Sequence, residues 1–97
     1  MLSDKEIAMN VLSDYFEVEN NLENNAALER TGRHLGQMLR YIDGNGRDIR
    51  SVALLFPYIS YLYVRIQIML GRAEQGIAPC KRSIELMRTH NQCRMLE

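Results

Sequence analysis

An almost uninterrupted apolar segment from Val52 to Leu70 constrains this chain more than any other feature. A helix of this length could cross a bilayer. Arg65 and Gln67 lie within the segment, however, and an arginine near the centre of a membrane span is costly. Pro57 also interrupts it. We therefore expect the core helix of a soluble domain and no membrane association.

The same segment carries a second, conflicting pattern. Residues Tyr61 to Ile68 are rich in β-branched and aromatic side chains and partly alternate, which is also typical of a strand. A single strand would have no partner in this chain. We predict a helix, with Pro57 either at its start or at a kink.

Two helices are predicted before this segment, because apolar residues recur there every three or four positions. The first begins with a capping box, Ser3-Asp4-Lys5-Glu6. The second runs from about Ala26 to Ile42 and ends at Asp43-Gly44-Asn45-Gly46, where both glycines can take positive φ. The predicted buried stripes are Ile7, Val11, Tyr15, Val18 and Leu22 in the first helix, and Leu28, Leu35, Met38, Leu39 and Ile42 in the second.

A fourth helix follows the apolar segment, and its start is open to two interpretations. A turn at Gly71-Arg72 would begin it near Ala73 and leave Pro79 inside it. Alternatively, the third helix continues to Gln75 and Pro79 opens the fourth helix at its first position. Its predicted buried stripe consists of Ile77, Cys80, Ile84 and Met87.

The four helices predict an all-α fold, a four-helix antiparallel array in a single domain over residues 1–95. The chain has 97 residues, and we interpret residues 96–97 as a vector-derived tail. An apolar fraction of 46% excludes disorder. The start lacks a basic stretch followed by an apolar one, and the two cysteines, Cys80 and Cys93, do not make a disulfide framework. We expect free thiols and a cytoplasmic protein.

Charge is divided unevenly between the two parts of the chain. Residues 1–29 hold seven acidic side chains against one lysine, a net charge of −6, and residues 30–97 hold eleven basic against five acidic ones, a net charge of +6. The interpretation we favour is an acidic first helix that packs beside basic later ones. The alternative is a basic region that binds an acidic partner.

The segment from Leu70 to Ile77, followed by Ser83 to Leu86, resembles the turn and second helix of a tetratricopeptide repeat. In that family a small residue lies early in the second helix, where two helices cross closely, and a second one follows seven positions later. Gly76 and Ser83 match these places, and Ile84 and Leu86 resemble the apolar positions that close the repeat. The resemblance implies stacked helical hairpins with a protein-binding groove, and it carries no catalytic residue.

The alternative architecture is a compact antiparallel bundle. The four-helix count and the long tyrosine- and leucine-rich third helix look broadly similar to flagellin-export chaperones.

No set of residues predicts catalysis, a cofactor or a metal. His90 and Cys93 are three residues apart and Cys80 lies ten residues before them in the same region, but these spacings do not match a zinc module and no fourth ligand is evident. A cysteine nucleophile would need a histidine base. His34 lies on another helix, and we expect Cys80 to be a buried core residue.

The aromatic residues of the third helix favour a protein-binding role. They cannot all face one side of one helix, and tyrosine is well suited to interfaces. The candidate partner-binding residues are Phe56, Tyr58, Tyr61, Tyr63 and Arg65. We expect a non-enzymatic interaction module that binds a protein partner or a second copy of itself, without a small-molecule substrate. The alternative is a small nucleic-acid-binding regulator, whose phosphate contacts would come from Arg30, Arg33, Arg40 and Arg47.

Overall fold

A computed structural model describes residues 2–44 and 46–96, with side chains described as far as Asn91. It contains four helices and a short 3-10 turn: α1 (Asp4–Glu19), α2 (Asn25–Asp43), α3 (Ile49–Met69), the turn Ala73–Gly76, and α4 (Ile77–Leu96). No strand occurs in the described ranges. The predicted all-α four-helix fold is confirmed. Residue Glu97 and the side chains of Cys93 and Leu96, on which sequence predictions rest, lie outside the described residues.

Side-chain caps set the starts of the first two helices, and the first of these caps is the predicted capping box. Ser3 Oγ accepts a hydrogen bond from the Glu6 N–H at 3.1 Å, and Glu6 Oε1 accepts one from the Ser3 N–H at 3.2 Å. Asn24 Oδ1 caps α2 through the Ala27 N–H at 3.1 Å. The whole predicted stripe of α2 is buried. Of the stripe predicted for the first helix, Ile7, Val11 and Val18 are buried and Tyr15 is exposed, while Leu22 is exposed in the turn after the end of α1.

Helix α3 begins at Ile49, before the apolar segment, because Asp48 caps it by accepting from the Arg50 N–H at 2.7 Å. It continues through Pro57, which therefore lies inside the helix rather than at its start. By length and composition α3 could also cross a membrane, a property that it shares with the core helices of many soluble proteins.

The connection from α3 to α4 decides between the two predicted starts of the fourth helix. Helix α3 ends at Met69, and Gly71 takes a positive φ of 76°. The turn is therefore at Gly71, and the alternative in which the third helix reaches Gln75 is wrong. Pro79 is the third residue of α4, where the missing N–H would have had no partner within the helix.

Helix α3 is the central element of the array. Successive helices run in opposite directions. From α1 to α2, Asp14 meets His34 and Glu17 meets Arg30. From α2 to α3, Gly32 lies at Ile66 and Gly36 at Tyr63, and from α3 onward Val64 meets Gly76 and Ser60 meets Ser83. Helix α2 covers one side of α3, while α1 and α4 lie along its two flanks. The side of α3 opposite α2 has no covering helix within the described part of the chain.

Two glycines allow α2 to approach α3 closely. A Cβ added at Gly32 would lie 3.2 Å from Cγ2 of Ile66, and one added at Gly36 would lie 3.3 Å from Cε2 of Tyr63. The large side chains of both helices surround this crossing and form most of one core. Its fully buried members include Leu28, Leu35, Ile42, Ile59 and Ile66.

A hydrogen-bond network attaches the first residues of the chain to the end of α2 and to the α2–α3 connection. We call it the N-terminal network, and its members are Leu2, Asp4, Tyr41 and Arg47. The Leu2 N–H donates to Tyr41 Oη at 2.8 Å, and Arg47 Nη2 donates to the Leu2 carbonyl at 2.7 Å. Arg47 Nη1 donates to Asp4 Oδ1 at 2.8 Å, and its guanidinium lies 5.8 Å from the centre of the Tyr41 ring.

The predicted buried face of the fourth helix is wrong. Gly76, Ser83 and Leu86 are buried against α3, and the predicted stripe of Ile77, Cys80, Ile84 and Met87 is exposed. The small residues face α3 because they permit close approach: a Cβ at Gly76 would meet both methyl groups of Val64 at 3.0 Å. The tetratricopeptide resemblance itself stays a prediction.

Candidate functional site

The uncovered side of α3 carries an exposed apolar stripe, the α3 stripe of Leu54, Tyr58, Tyr61 and Ile68. Its members are separated by four, three and seven residues, and Arg65 lies between the last two. This spacing places all of them on one helix face. Leu54 is 66% exposed and Tyr61 is 67% exposed. A continuous exposed stripe of this kind marks an interaction surface more often than scattered apolar residues do.

A second exposed stripe runs beside it on α4, the α4 stripe of Ile77, Cys80, Ile84 and Met87. Between the two stripes lies an open groove of about 500 Å³, which Tyr61 and Ile68 line from α3 and Cys80 and Ile84 line from α4. The two stripes and the groove together form one apolar surface, which can accept the apolar face of another helix.

The five candidate partner-binding residues from sequence are not all on this surface. Tyr58 and Tyr61 are exposed on the α3 stripe, but Phe56 is buried in the core and Tyr63 packs against Gly36. Arg65 lies within the α3 stripe and forms an ion pair with Glu19 at the end of α1. That hydrogen bond raises the pKa of Arg65. The surface therefore has an ion-paired guanidinium group near its centre.

The fold does not bring the four candidate arginines for nucleic-acid binding together on one surface. The Arg47 side chain is 6% exposed and belongs to the N-terminal network, so it does not reach solvent. Arg30 lies 3.9 Å from Glu17 of α1. Arg33 and Arg40 line a different feature on the other flank of α2.

That feature is a polar cleft of about 380 Å³ between α2, the end of α3 and the 3-10 turn. Gly32 and Gly36 form part of its wall, since they have no side chain to fill it. Arg33, Arg40 and Arg72 lie at its margin, with one carboxylate, Glu29, among them. The remaining polar lining consists of Gln37, Tyr63, Gln67 and Gln75.

Sequence reasoning named Arg33 and Arg40 as possible phosphate contacts but did not predict this cleft. A further local signal is the spacing Gly32-x-x-x-Gly36, which is typical of closely packed helices. Gln67 and Arg72 meet α2 only through the tertiary fold, so no pattern along the chain could have grouped them with Arg33.

The described residues contain no group of three or more His, Cys, Asp or Glu side chains that could hold a metal. Cys80 was predicted to be buried but is exposed, because α4 presents its small residues to α3. His34 lies between α1 and α2, with Nδ1 2.6 Å from Asp14 Oδ2. Burial raises the pKa of Asp14, and His34 opposes that shift in part.

Comparison of the chain with protein-family models, with curated proteins and with solved structures finds no match. The function is therefore argued from the apolar surface and the polar cleft.

Proposed function

We propose that this protein is a non-enzymatic protein-interaction module that associates with a second copy of itself through the α3 stripe. The single observation that carries the proposal is the regular exposed stripe of Leu54, Tyr58, Tyr61 and Ile68, on a side of α3 that no helix of the described residues covers. We also propose that the protein is cytoplasmic.

The order of residues along the stripe supports a second copy as the occupant. If two α3 helices cross antiparallel with Tyr61 on a two-fold axis, Leu54 of one copy opposes Ile68 of the other. An isologous contact needs such a self-complementary patch. Apolar residues then meet at both ends of the contact and the two Tyr61 rings meet in its centre.

Arg65 supports the same register. In the antiparallel arrangement its guanidinium lies near the Tyr58 ring of the other copy, since these positions are about equally far from Tyr61. A guanidinium over a tyrosine ring contributes roughly 0.5–1 kcal/mol at an exposed site. Because Glu19 holds Arg65 in place, little side-chain freedom is lost when this contact forms.

Each copy contributes essentially one helix to the contact, and α3 is about 31 Å long at 1.5 Å per residue. This is a small interface, so we expect a dimer with a dissociation constant in the micromolar range. Light scattering across protein concentrations should give the mass of two chains at about 100 µM, with dissociation on dilution.

Tyr61→Glu tests the centre of the interface. It places two like charges on the two-fold axis, and the mass should fall to that of one chain at every concentration. Met9→Glu is the matched control, because Met9 is 59% exposed on α1, away from the stripe. A wild-type protein that is monomeric at 100 µM, or equal loss of mass in both variants, would contradict the proposal.

Cysteine cross-linking tests the register, in a background with Cys80→Ser and Cys93→Ser. Under mild oxidation Tyr61→Cys should form a covalent dimer with itself. Leu54→Cys should cross-link with an Ile68→Cys chain in a mixture and should not cross-link with itself. Self-linkage of Leu54→Cys would indicate a parallel contact and would refute this arrangement.

The alternative of a nucleic-acid-binding regulator has less support, because Arg47 is enclosed and Arg30 lies near Glu17. If it were correct, the protein would bind a DNA or RNA duplex with a strong dependence on salt concentration. We expect no binding at 50 mM salt in a fluorescence anisotropy titration.

A further inference from the structure

The polar cleft between α2, the end of α3 and the 3-10 turn has no part in the proposed dimer contact. It lies on the α2 side of α3, and the α3 stripe lies on the opposite side. Its composition differs as well, since guanidinium and amide groups line it.

Charge in the cleft is unbalanced. Arg72 forms an ion pair with Glu29, and Arg33 lies 4.0 Å from the same carboxylate. Arg40 has no carboxylate partner among the residues that the structure describes. Three guanidinium groups against one carboxylate give the lining a net charge of +2, which matches a ligand with about two negative charges.

The amide of Gln67 forms the second part of the argument. Gln67 is only 6% exposed, it lines the cleft, and its side chain makes no hydrogen bond within the described chain. Its Nε2 lies 3.3 Å from where a Cβ of Gly32 would be, in the space that this glycine leaves open. Neither polar atom of this amide is sealed from solvent, so both face the cleft, and a ligand there can replace water as their hydrogen-bond partner.

The backbone fixes the amide relative to the guanidinium groups. The Arg72 N–H donates to the Gln67 carbonyl oxygen at 2.7 Å, so the turn that carries Arg72 is attached to the residue that carries the amide. Gln37 and Gln75 add further amides to the lining. The cleft therefore combines groups that bind a tetrahedral oxyanion with groups that both donate and accept hydrogen bonds.

We propose that this cleft binds a small phosphate monoester, whose phosphate lies between Arg33, Arg40 and Arg72 and whose remaining polar groups pair with the amide of Gln67. A phosphate monoester carries about −1.5 to −2 charges at pH 7, close to the charge that the lining offers. Guanidinium groups bind phosphate oxygens through paired hydrogen bonds. The volume of about 380 Å³ is in the range of small-ligand sites.

Nuclear magnetic resonance titration of the full chain tests this proposal. The probes are inorganic phosphate, ribose 5-phosphate and adenosine monophosphate, with ribose and adenosine as uncharged controls. We expect saturable shifts of the Gln67 side-chain amide and of the Arg40 Nε–H resonance with one or both esters. Ribose and adenosine should give none. Inorganic phosphate should bind at least tenfold more weakly than the better ester, since it makes no contact with Gln67.

Two variants of one helix give a matched comparison. Arg40→Gln should weaken the binding of the ester at least tenfold, and Arg30→Gln, on the α1 side of α2, should leave it unchanged. Gln67→Leu should abolish the preference for the ester over inorganic phosphate. Arg40 is exposed, so its variant keeps the test valid even if Gln67→Leu does not fold.

Three results would overturn the proposal. They are the absence of saturable shifts with both esters at 10 mM, equal binding of an ester and its uncharged control, and equal weakening by Arg40→Gln and Arg30→Gln. Binding of a single-stranded oligonucleotide in preference to both esters would also refute it in favour of a polynucleotide site.

Discussion

Helix α3 meets α2 and α4 in two different ways. At the α2 interface, large side chains from both helices interdigitate around Gly32 and Gly36. At the α4 interface, the buried residues of the α4 side as far as Asn91 are mainly small, and Leu86 is the one large side chain among them. The Ser83 hydroxyl lies 3.3 Å from Ser60 Oγ and bonds to the Pro79 carbonyl oxygen at 2.8 Å.

This difference between the two interfaces explains why α4 keeps large apolar residues on its exposed face. A helix that packs through small residues approaches its neighbour closely. It is then stabilised mainly by van der Waals contacts between the two backbones rather than by the burial of large side chains. Its larger apolar residues then remain on the outer face, where they form the α4 stripe. The α2 interface therefore supplies most of the stability, and the α4 interface supplies an exposed surface. Four predictions test this contrast.

The largest effect is expected at the α2 interface. Leu35 is fully buried in the centre of α2, and Leu35→Ala should lower the free energy of unfolding by about 2–5 kcal/mol. Urea denaturation followed by circular dichroism should show one cooperative transition at a lower midpoint. A loss of less than about 1 kcal/mol would show that the α2–α3 contact is not the main source of stability.

Leu86→Ala makes the equivalent change at the α4 interface. We expect a smaller loss, about 2–3 kcal/mol, because α4 can shift toward the space that is left. Hydrogen exchange should show lower protection in residues 77–91, with α2 and the α2 side of α3 unchanged. If exchange increased equally in all helices, α4 would not be a separately attached element.

Gly76→Ala tests whether close approach is what holds α4. The new Cβ would lie 3.0 Å from both methyl groups of Val64, a β-branched residue that cannot easily rotate away, so we expect a loss of about 1–3 kcal/mol. Gly36→Ala is the matched variant at the α2 interface. Its Cβ would meet only the edge of the Tyr63 ring at 3.3 Å, and the gain in helix propensity, about 0.5–1 kcal/mol, opposes the cost.

The double variant Gly76→Ala/Val64→Ala provides the control. Its free energy of unfolding should fall by less than the sum of the losses in the two single variants, because removing the Val64 methyl groups makes room for the new Cβ. Thermal unfolding of all four proteins measures the coupling. Strict additivity would contradict the steric explanation.

The smallest effect concerns the ion pair that joins α4 to the end of α2. Arg82 donates from Nε and Nη2 to the two oxygens of Asp43, both at 2.9 Å, and this raises the pKa of Arg82. The side chain is 41% exposed, so Arg82→Gln should cost no more than about 1 kcal/mol. The loss should disappear in 1 M salt. Arg88→Gln, also exposed on α4, is the control and should have no effect at either salt concentration.

Much of the α2 interface could be predicted from the sequence, and little of the α4 interface could. Leu28, Leu35 and Ile42 repeat with the helix period and all are buried, because no other face of α2 is apolar. In α4 the same reasoning selected Ile84 and failed. That reasoning chooses the most apolar face of a helix as the buried one. In α4 the buried face is instead the one whose small residues allow α3 to approach closely.

The candidate site, like the fold, could be predicted only in part from the sequence. The aromatic content of α3 indicated an interaction surface and correctly included the exposed Tyr58 and Tyr61. It could not separate them from Phe56, since the burial of Phe56 depends on where α2 and α4 lie. The polar cleft joins Arg33 with Gln67 and Arg72, which are far apart in the chain and meet only after α2 and α3 have packed.

The N-terminal network has a consequence for the order of folding. It joins Leu2 and Asp4 to Arg47 across some forty residues, whereas the α2–α3 and α3–α4 pairs are hairpins of neighbouring helices. Contacts between neighbouring elements require less loop closure and form earlier. Substitution of Arg47 should therefore accelerate unfolding and leave the folding rate almost unchanged. The contact that fixes the start of the chain governs how long the native state lasts rather than how quickly it is reached.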